Sequence, residues 1–344
     1  ACDADAIRSA GDTIAVDPHL CQGCAACTLA CPTGALSFVV PSRSDLMQQI
    51  DVALATAAAN GVAAPALIIH AAAVPMLPEA TPPSAQAIEV DALPAFGDEL
   101  WLTALARGAS AVALVDDGTR PPRARAQLER RIAEAQAVLA ATGAAPSAIA
   151  LVQRDALPAL APFAAPATVP TRMPATTTNP TKRAVVLAAI DALLAAHRPT
   201  GDAPLPAGST FGDVVVDVAA CTLCLACVQL CPTAALRAGT GVRPALDFVE
   251  AECVQCSLCA TGCPEHAIRL APRLLHDRIA RNAARTLAED ELFPCPNCGT
   301  PFIGRKLLER SIAHLRDHPV LRDGGLERLR LCPECRTRAA LDAG

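Results

Sequence analysis

Between residues 44 and 156 the chain alternates helical and strand patterns of apolar residues. A helix is predicted from Ser44, a capping residue, to Asn60-Gly61, a typical stop. Its apolar face, with one residue every three or four positions, consists of Leu46, Ile50, Leu54 and Ala57. The unbroken apolar run at 66–70 then predicts a buried strand.

The same alternation continues to residue 156. Helices are predicted from Asp98 to Arg107, where Gly108 follows, and from Pro122 to Ala141, before Gly143. Strands are predicted at 111–115 and 148–152. Strands that alternate with helices form a parallel sheet covered by helices, so 44–156 is predicted to be a small parallel α/β domain.

This predicted domain offers a few candidate residues but no strong chemical motif. Ligands of parallel sheets bind beyond the carboxyl ends of the strands, here near His70, Asp116 and Gln153. The domain lacks both Gly-x-Gly-x-x-Gly and a Walker loop. His70 is therefore predicted to be structural, and the domain a scaffold or docking module. A solvated helix face is predicted to consist of Arg123, Arg125, Arg130 and Arg131.

The composition changes after this domain. Residues 157–209 are predicted to be a linker rich in Ala, Pro and Thr that contains one helix, Lys182 to His197. Short strands are predicted at 214–216 and 268–270, on either side of a cysteine-rich stretch.

The cysteines indicate metal ligands in a reducing compartment. There are seventeen, an odd number, mostly in short Cys-x-x-Cys runs rather than in a disulfide framework. We therefore expect a cytoplasmic protein, with no nucleic-acid partner. We expect no direct membrane insertion, because no signal-peptide pattern is present and the longest apolar run, 184–196, is too short and contains Asp191.

One cysteine spacing occurs in two neighbouring runs, at 221–232 and 253–264, and reads Cys-x-x-Cys-x-x-Cys-x-x-x-Cys-Pro. Bacterial ferredoxins with two 4Fe-4S clusters have this spacing, and the fourth cysteine of each run ligates the other run's cluster. Zinc or disulfides are the alternative, but zinc sites use two Cys-x-x-Cys pairs and disulfides do not need this spacing. The ligands predicted for cluster B are Cys221, Cys224, Cys227 and Cys263, and those for cluster C are Cys231, Cys253, Cys256 and Cys259.

A third run, at 21–32, opens the chain. The segment from Cys2 to Cys21 aligns with that from Cys231 to Cys253, which puts Cys2 in the place of a fourth cysteine. Cys31 is then aimed at a cluster whose other ligands are not in this chain. Because Asp3 stands where proline is usual, an incidental Cys2 thiol is the alternative, with Cys31 or an outside ligand completing the site. The ligands predicted for this cluster A are Cys2, Cys21, Cys24 and Cys27.

The tail carries two further Cys-x-x-Cys pairs. They are Cys295 with Cys298 and Cys332 with Cys335, on either side of a helical stretch at 307–315. Four thiolates match a closed tetrahedral zinc site with no position for catalysis, so a zinc-ribbon-like module is predicted. A rubredoxin-like iron site has similar pairs, and the scarcity of aromatic residues favours zinc over iron.

With these runs, the α/β insert and the tail, the whole chain resembles the large ferredoxin-like 4Fe-4S proteins encoded beside molybdenum or tungsten formate dehydrogenases in proteobacteria. The segments that carry the resemblance are 16–35, 206–212, 221–227, 248–256, 295–302 and 332–336. The insert, especially 102–112, also looks like the delta subunit of methyl-viologen-reducing hydrogenase, without the cysteines of that family. The first resemblance implies a formate dehydrogenase as redox partner. It also implies another cysteine run upstream of Cys2, which would complete the site that Cys31 faces.

We therefore expect an α+β multidomain protein in which ferredoxin-like 4Fe-4S modules flank a small parallel α/β domain. The predicted parts are 1–43, 44–156, 157–209, 210–275 and 290–340. The predicted function is transfer of single electrons, with no catalytic site in the chain. One alternative is an enzyme subunit whose α/β insert binds a nucleotide or flavin. Another is a redox-sensing or assembly protein that docks a partner through the α/β and zinc-ribbon domains.

Overall fold

The computed structural model describes residues 2–11, 13–73, 82–116, 118–153, 180–321 and 325–341. The chain divides into two compact units, Ala1–Ser209 and Thr210–Gly344. Part of the predicted linker, residues 157–179, lies outside the described residues. Among the helices that the structure describes, none is both long enough and apolar enough to cross a lipid bilayer.

The first unit begins with a small hairpin and a short helix that carry the first cysteine run. The hairpin pairs β1 (Ile7–Ala10) with β2 (Thr13–Val16) in antiparallel register, Ile7 opposite Val16. Helix α1 (Ala26–Ala30) contains Cys27, and its apolar side buries Leu29. These elements hold the cysteines at positions 2–31.

A four-stranded parallel sheet forms the centre of the first unit, which confirms the predicted parallel α/β layer. The strands are β3 (Ala66–Ala71), β4 (Ala85–Val90), β5 (Ala111–Asp116) and β6 (Ile149–Gln153), in the order β4-β3-β5-β6. The two central strands are buried along their whole length, as their unbroken apolar sequences require. The sequence analysis did not predict the edge strand β4.

Four helices accompany the sheet, namely α2 (Arg43–Ala59), α3 (Asp98–Ala106), α4 (Pro122–Thr142) and α5 (Lys182–His197). Helix α2 starts two residues earlier than predicted, because Ser42 rather than Ser44 caps it. The Ser42 hydroxyl accepts from the Asp45 N–H, and the Asp45 carboxylate accepts from the Ser42 N–H. Helix α5 has the predicted bounds, and its apolar side packs against α3.

The second unit contains a ferredoxin-like pair of half-modules. After β7 (Ala203–Pro204), the chain forms β8 (Gly212–Val216), α6 (Ala226–Leu230), β9 (Leu236–Ala238), β10 (Ala245–Phe248), α7 (Leu258–Thr261) and β11 (Ile268–Leu274). Strand β8 pairs with β11 and β9 pairs with β10, both antiparallel. The apolar core between them contains Val214, Leu246 and Phe248 together with several cysteines. The predicted strands at 214–216 and 268–270 lie within β8 and β11.

The rest of the second unit extends this core to a separate cysteine group. It consists of α8 (Arg278–Asn282), β12 (Arg285–Glu289), β13 (Leu292–Pro294), β14 (Pro301–Gly304), α9 (Arg305–Leu315), α10 (Gly325–Leu329) and α11 (Pro333–Leu341). Strand β12 joins β10 at the sheet edge, and β13 pairs with β14. The second Cys-x-x-Cys pair begins helix α11 rather than a strand, so the zinc-ribbon class stays a prediction.

Candidate metal centres

All three cysteine runs share an unusual backbone conformation. The residues directly before and after the second cysteine of each run have positive φ angles between 53° and 65°. They are Gly23, Ala25, Leu223, Leu225, Gln255 and Ser257. This left-handed conformation costs a non-glycine residue roughly 1–2 kcal/mol, so local preference does not explain it. Alternating right- and left-handed residues turn successive N–H groups to one side, which creates the concave anion-binding backbone common at Fe-S sites.

A second backbone feature identifies the fourth cysteine of a run. The residue three positions later always has a positive φ. These residues are Asp5 (47°), Gly34 (78°), Ala234 (54°) and His266 (49°), after Cys2, Cys31, Cys231 and Cys263 respectively. The sulfurs of Cys2 and Cys263 also accept a hydrogen bond from the N–H four residues on, at 3.3 Å and 3.4 Å. Cys2 therefore has the geometry of a fourth cysteine.

The structure brings the predicted cluster B cysteines to one cavity of the second unit. Its wall contains Cys221, Cys224 and Cys227 from the first run and Cys263 from the second. Leu223, Leu246 and Ile268 supply apolar walls that limit access of water. This combination of three cysteines from one run and the fourth from the other is the crossed arrangement.

The predicted cluster C cysteines lie beside this cavity. Burial and the neighbouring thiols of Cys253, Cys256 and Cys231 raise the pKa of Cys259 to about 11. Burial and neighbouring thiols, including those of Cys221, Cys224 and Cys259, raise the pKa of Cys227 to about 12. Grouped thiolates are therefore unfavourable here unless a cation compensates their charge.

In the first unit, a mainly apolar cavity is lined by Cys2, Cys21, Cys24 and Cys27, with Val16 and Phe38. Cys31 does not line this cavity. It is half-buried, and its sulfur lies 3.3 Å from the Thr33 hydroxyl. Burial acts to raise its pKa, but that hydroxyl and backbone N–H groups at 33–36 outweigh it and leave the pKa of Cys31 lowered. Cys31 thus lies outside the cavity of the other four cysteines and has a lowered pKa.

The loop around Cys2 is fixed to the α/β domain through Asp3. The Asp3 carboxylate accepts hydrogen bonds from the backbone N–H groups of Arg123 (3.4 Å) and Ala124 (3.0 Å) in the first turn of α4. The helix's own capping position, Pro121, provides no side-chain cap. Asp3 thus satisfies helix-end donors from a distant part of the chain. No local sequence pattern predicts this contact, since the partners are about 120 residues apart.

A buried charge cluster lies behind α1. The Lys182 side chain is 2% exposed, and its Nζ donates to the carbonyls of Thr28 (3.1 Å) and Leu29 (3.3 Å), just after Cys27. It also pairs with Asp98 (3.3 Å) and Glu99 (3.5 Å) in the first turn of α3. The Arg131 guanidinium, also buried, pairs with Asp98.

This cluster corrects one part of the sequence analysis. Arg131 was predicted to lie on a solvated face, but it is buried against Asp98. Arg123 and Arg130 are exposed, as predicted. Burial opposes ionisation of Asp98, yet Arg131 and Lys182 outweigh it and lower the pKa of that carboxyl. For Glu99 burial dominates, and its pKa is raised despite Lys182.

The tail cysteines converge on a point small enough for a single ion. The sulfurs of Cys295, Cys298, Cys332 and Cys335 all lie within 4.8 Å of one another. Those of Cys298 and Cys332 are 3.6 Å apart, close to the separation of about 3.8 Å expected for tetrahedral Zn–S bonds of about 2.3 Å. Burial acts against the Cys295 thiolate, but the N–H groups of Cys332, Cys298 and Asn297 lower its pKa to about 6.

The ferredoxin-run cysteines differ from this tail group in spacing. Among the residues that the structure describes, no other group of three or more His, Cys, Asp or Glu side chains converges this tightly. The ferredoxin-run cysteines therefore surround a larger space, which suits a multi-atom centre rather than one ion.

The carboxyl ends of the parallel strands show an internal ion-pair site. Asp116, whose side chain is fully buried, pairs with Arg120 and with Arg125 (3.2 Å), and it accepts from Gln153 (3.3 Å). His70 is buried within β3, and its Nδ1 lies 3.3 Å from the Ala71 carbonyl oxygen. These contacts engage the polar groups that a ligand would use.

Comparison with known proteins adds family information for two cysteine runs. Residues 13–36 and 214–237 match family models described as 4Fe-4S binding domain. A stretch of 45 residues is 42% identical to the ferredoxin-type protein NapF of Escherichia coli (strain K12). The NapF proteins of Escherichia coli O6:H1 and O157:H7 match equally well.

The NapF match is limited in extent. It covers 13% of this chain and spans about a quarter, 27%, of the relative. Together with the two family matches, the geometry shows a chain with two 4Fe-4S binding domains and a separate four-cysteine site.

Proposed function

We propose that this protein is an electron carrier that holds three 4Fe-4S clusters in crossed ligand sets. The observation that carries this proposal is the cavity shared by Cys221, Cys224, Cys227 and Cys263, since it unites two separate runs. The proposed sets are cluster A at Cys2, Cys21, Cys24 and Cys27, cluster B at the cavity just named, and cluster C at Cys231, Cys253, Cys256 and Cys259. The tail cysteines hold one zinc ion.

The residues at these sites fit the clusters. Each set offers four sulfur donors and a backbone whose N–H groups are turned to one side by left-handed residues. A bound 4Fe-4S cluster takes up and releases one electron at a time. Because four thiolates occupy every iron of such a cluster, these sites leave no iron for a substrate, which supports transfer rather than catalysis.

We expect electron exchange between the proposed sets B and C, because the two sets are neighbours in the fold. The pKa of Cys227 responds to Cys259 of the other set, and helices α6 and α7 pack together. Apolar walls at Leu223 and Leu246 limit water at the site. Burial of the sulfurs and hydrogen bonds to them set the reduction potential. In this proposal sets B and C are neighbours, and apolar residues limit the access of water to set B.

We further propose a redox protein of the formate dehydrogenase type as the partner, in a reducing compartment such as the cytoplasm. The family resemblance of the sequence supports this partner. An anaerobic mixture of the chain with such an enzyme and formate tests it. Loss of visible Fe-S absorbance that requires formate supports the partner, and an unchanged spectrum in the presence of active enzyme contradicts it.

Metal analysis tests the cluster content. An anaerobic preparation is expected to contain about twelve iron and about one zinc per chain, from three four-iron clusters and one four-thiolate ion site. About eight iron would mean that cluster A does not form. A colourless preparation free of iron and sulfide would contradict the proposed function.

A further inference from the structure

Lysine is rare in this chain, and each of the two lysines contacts the backbone within or next to a cysteine run. Of the 29 basic residues, only Lys182 and Lys306 are lysines. Lys182 holds the carbonyls that follow Cys27, as described above. In the second unit, the Lys306 Nζ donates to the carbonyl of Val218 at 2.7 Å. Val218 lies in the tight turn that leads into Cys221, where the Cys221 N–H donates to the Asp217 carbonyl.

Two basic side chains of helix α9 contact chain segments next to the cysteines proposed for cluster B. One turn after Lys306, Arg310 pairs with Glu265 at 2.9 Å. Glu265 lies two residues after Cys263, and Val218 lies three before Cys221. Helix α9 therefore contacts both chain segments that supply the proposed ligands.

In the part of the chain that the structure describes, no ion pair neutralises the charge of Lys306. Within the described residues, no carboxylate oxygen lies within 4.0 Å of its Nζ. The Asp217 carboxylate instead accepts from the backbone N–H groups of Ala219 and Ala220. An unpaired ammonium beside an anionic centre has a larger effect than a neutralised one.

The four-cysteine module fixes the start of α9. The helix follows β14 directly, the Lys306 N–H donates to Asp290 at 2.8 Å, and Leu308 is buried. Cys298 precedes the helix and Cys332 follows it, yet their sulfurs are 3.6 Å apart. An ion bound by Cys298 and Cys332 would join the two ends of the chain segment that contains α9.

We propose that the four-cysteine module is a positioning device for cluster B, which holds the Lys306 ammonium beside that centre and raises its reduction potential. This inference rests on the proposed function. One-electron reduction adds a negative charge to the centre, so a fixed cation stabilises the reduced state more than the oxidised state. In this proposal Lys306 supplies the positive charge, and Arg310 fixes the second ligand segment.

A redox titration of the full-length, cluster-loaded protein tests the role of Lys306. Dithionite serves as the one-electron donor, and electron paramagnetic resonance follows each cluster. The signal that changes in Cys224→Ser assigns cluster B. Lys306→Met is expected to make the reduction of cluster B about tenfold less favourable, a fall of about 59 mV for a one-electron couple. Lys306→Arg keeps the charge and is expected to retain most of the potential.

Arg316→Met is the matched control. It also removes one positive charge, but Arg316 is exposed and lies ten residues beyond Lys306, about 15 Å further along the helix axis. We expect it to leave cluster B unchanged. A cluster B potential in Lys306→Met that equals that of Arg316→Met would overturn the inference.

The tail module is tested by Cys332→Ser, alone and combined with Lys306→Met. If the module acts through Lys306, Cys332→Ser lowers the cluster B potential and adds no further shift in the combined variant. Fully additive shifts would overturn the positioning role. Failure of the unaltered chain to bind iron would instead refute the proposed function, so the two failures are distinguishable.

Discussion

Cys2 has the backbone geometry of a fourth cysteine although Asp3, and not proline, follows it. The proline that normally follows a fourth cysteine is replaced by Asp3, yet Asp5 has the same left-handed conformation as Ala234 and His266. The sulfur of Cys2 also lines the cavity with Cys21. Alignment of the segment after Cys2 with a complete run predicted this position, because the first strand begins five residues after Cys2 and five residues after Cys231, even without the proline.

Replacing Cys2 tests its assignment as a ligand. Cys2→Ala removes one of four thiolates from the proposed cluster A, so about four iron per chain are expected to be lost in anaerobic analysis. Cys31→Ala is the control, because Cys31 does not line that cavity and its loss should leave cluster A in place. An unchanged iron content in Cys2→Ala would refute the assignment of Cys2.

Asp3 is expected to contribute to stability as a helix cap. Asp3→Ala removes the acceptor for the Arg123 and Ala124 N–H groups, at a cost of about 1 kcal/mol in the free energy of unfolding of the first unit. Urea unfolding of the loaded protein measures this. Asp5→Asn is the control, since Asp5 only forms an exposed 3.7 Å pair and asparagine tolerates its left-handed backbone. Equal stability of the two variants would contradict the capping role.

At the scale of elements, regular periodicity made most of the α/β domain predictable. Strands β3 and β5 are unbroken apolar runs, and α5 has the predicted bounds because Thr181 caps a regular apolar stripe. Strand β4 was missed because it contains only two large apolar residues, Ile88 and Val90, among alanine and polar residues. Burial of Arg131 was missed because its partner Asp98 is 33 residues away. Long-range pairing of charges leaves no trace in local periodicity.

The buried charge cluster between α1, α3 and α5 is expected to be strongly coupled. Lys182→Met leaves the carboxylates of Asp98 and Glu99 with one cation fewer, and loss of one partner of a buried pair costs about 3 kcal/mol. We expect a corresponding fall in the urea midpoint of the first unit.

The double variant Lys182→Met with Glu99→Gln separates charge from packing. Glu99 has a raised pKa and is the carboxylate that burial penalises most, so its neutralisation should restore part of the lost stability. If the double variant is less stable than Lys182→Met alone, the unpaired carboxylate is not the source of the loss.

At the scale of the whole molecule, the proposed centres are divided between two compact units. The second unit, 210–344, contains the proposed sets B and C and the tail cysteines within one network of strands and helices. The grouping of its cysteines into proposed ligand sets was predicted from their spacing alone. The contacts of α9 with the loops near Cys221 and Cys263 were not, because they depend on how the tail folds back.

The second unit is expected to fold alone. A chain of residues 210–344 should bind about eight iron and one zinc, since its proposed ligand sets are complete. Anaerobic metal analysis and visible absorbance measure this. A fragment that binds zinc but no iron would show that the first unit is needed for the assembly of clusters B and C.

Asp3, which stands where proline is usual, connects the turn after Cys2 to a distant part of the first unit. A proline would stiffen the turn after Cys2 without reference to any other part of the chain, whereas the carboxylate connects that turn to the first turn of α4. We therefore expect that a protein which binds the α/β domain and displaces this helix end also moves Cys2, a ligand of the proposed cluster A. The affinity of such a protein for the α/β domain and the reduction potential of the proposed cluster A are then expected to be linked, so that a change in one changes the other.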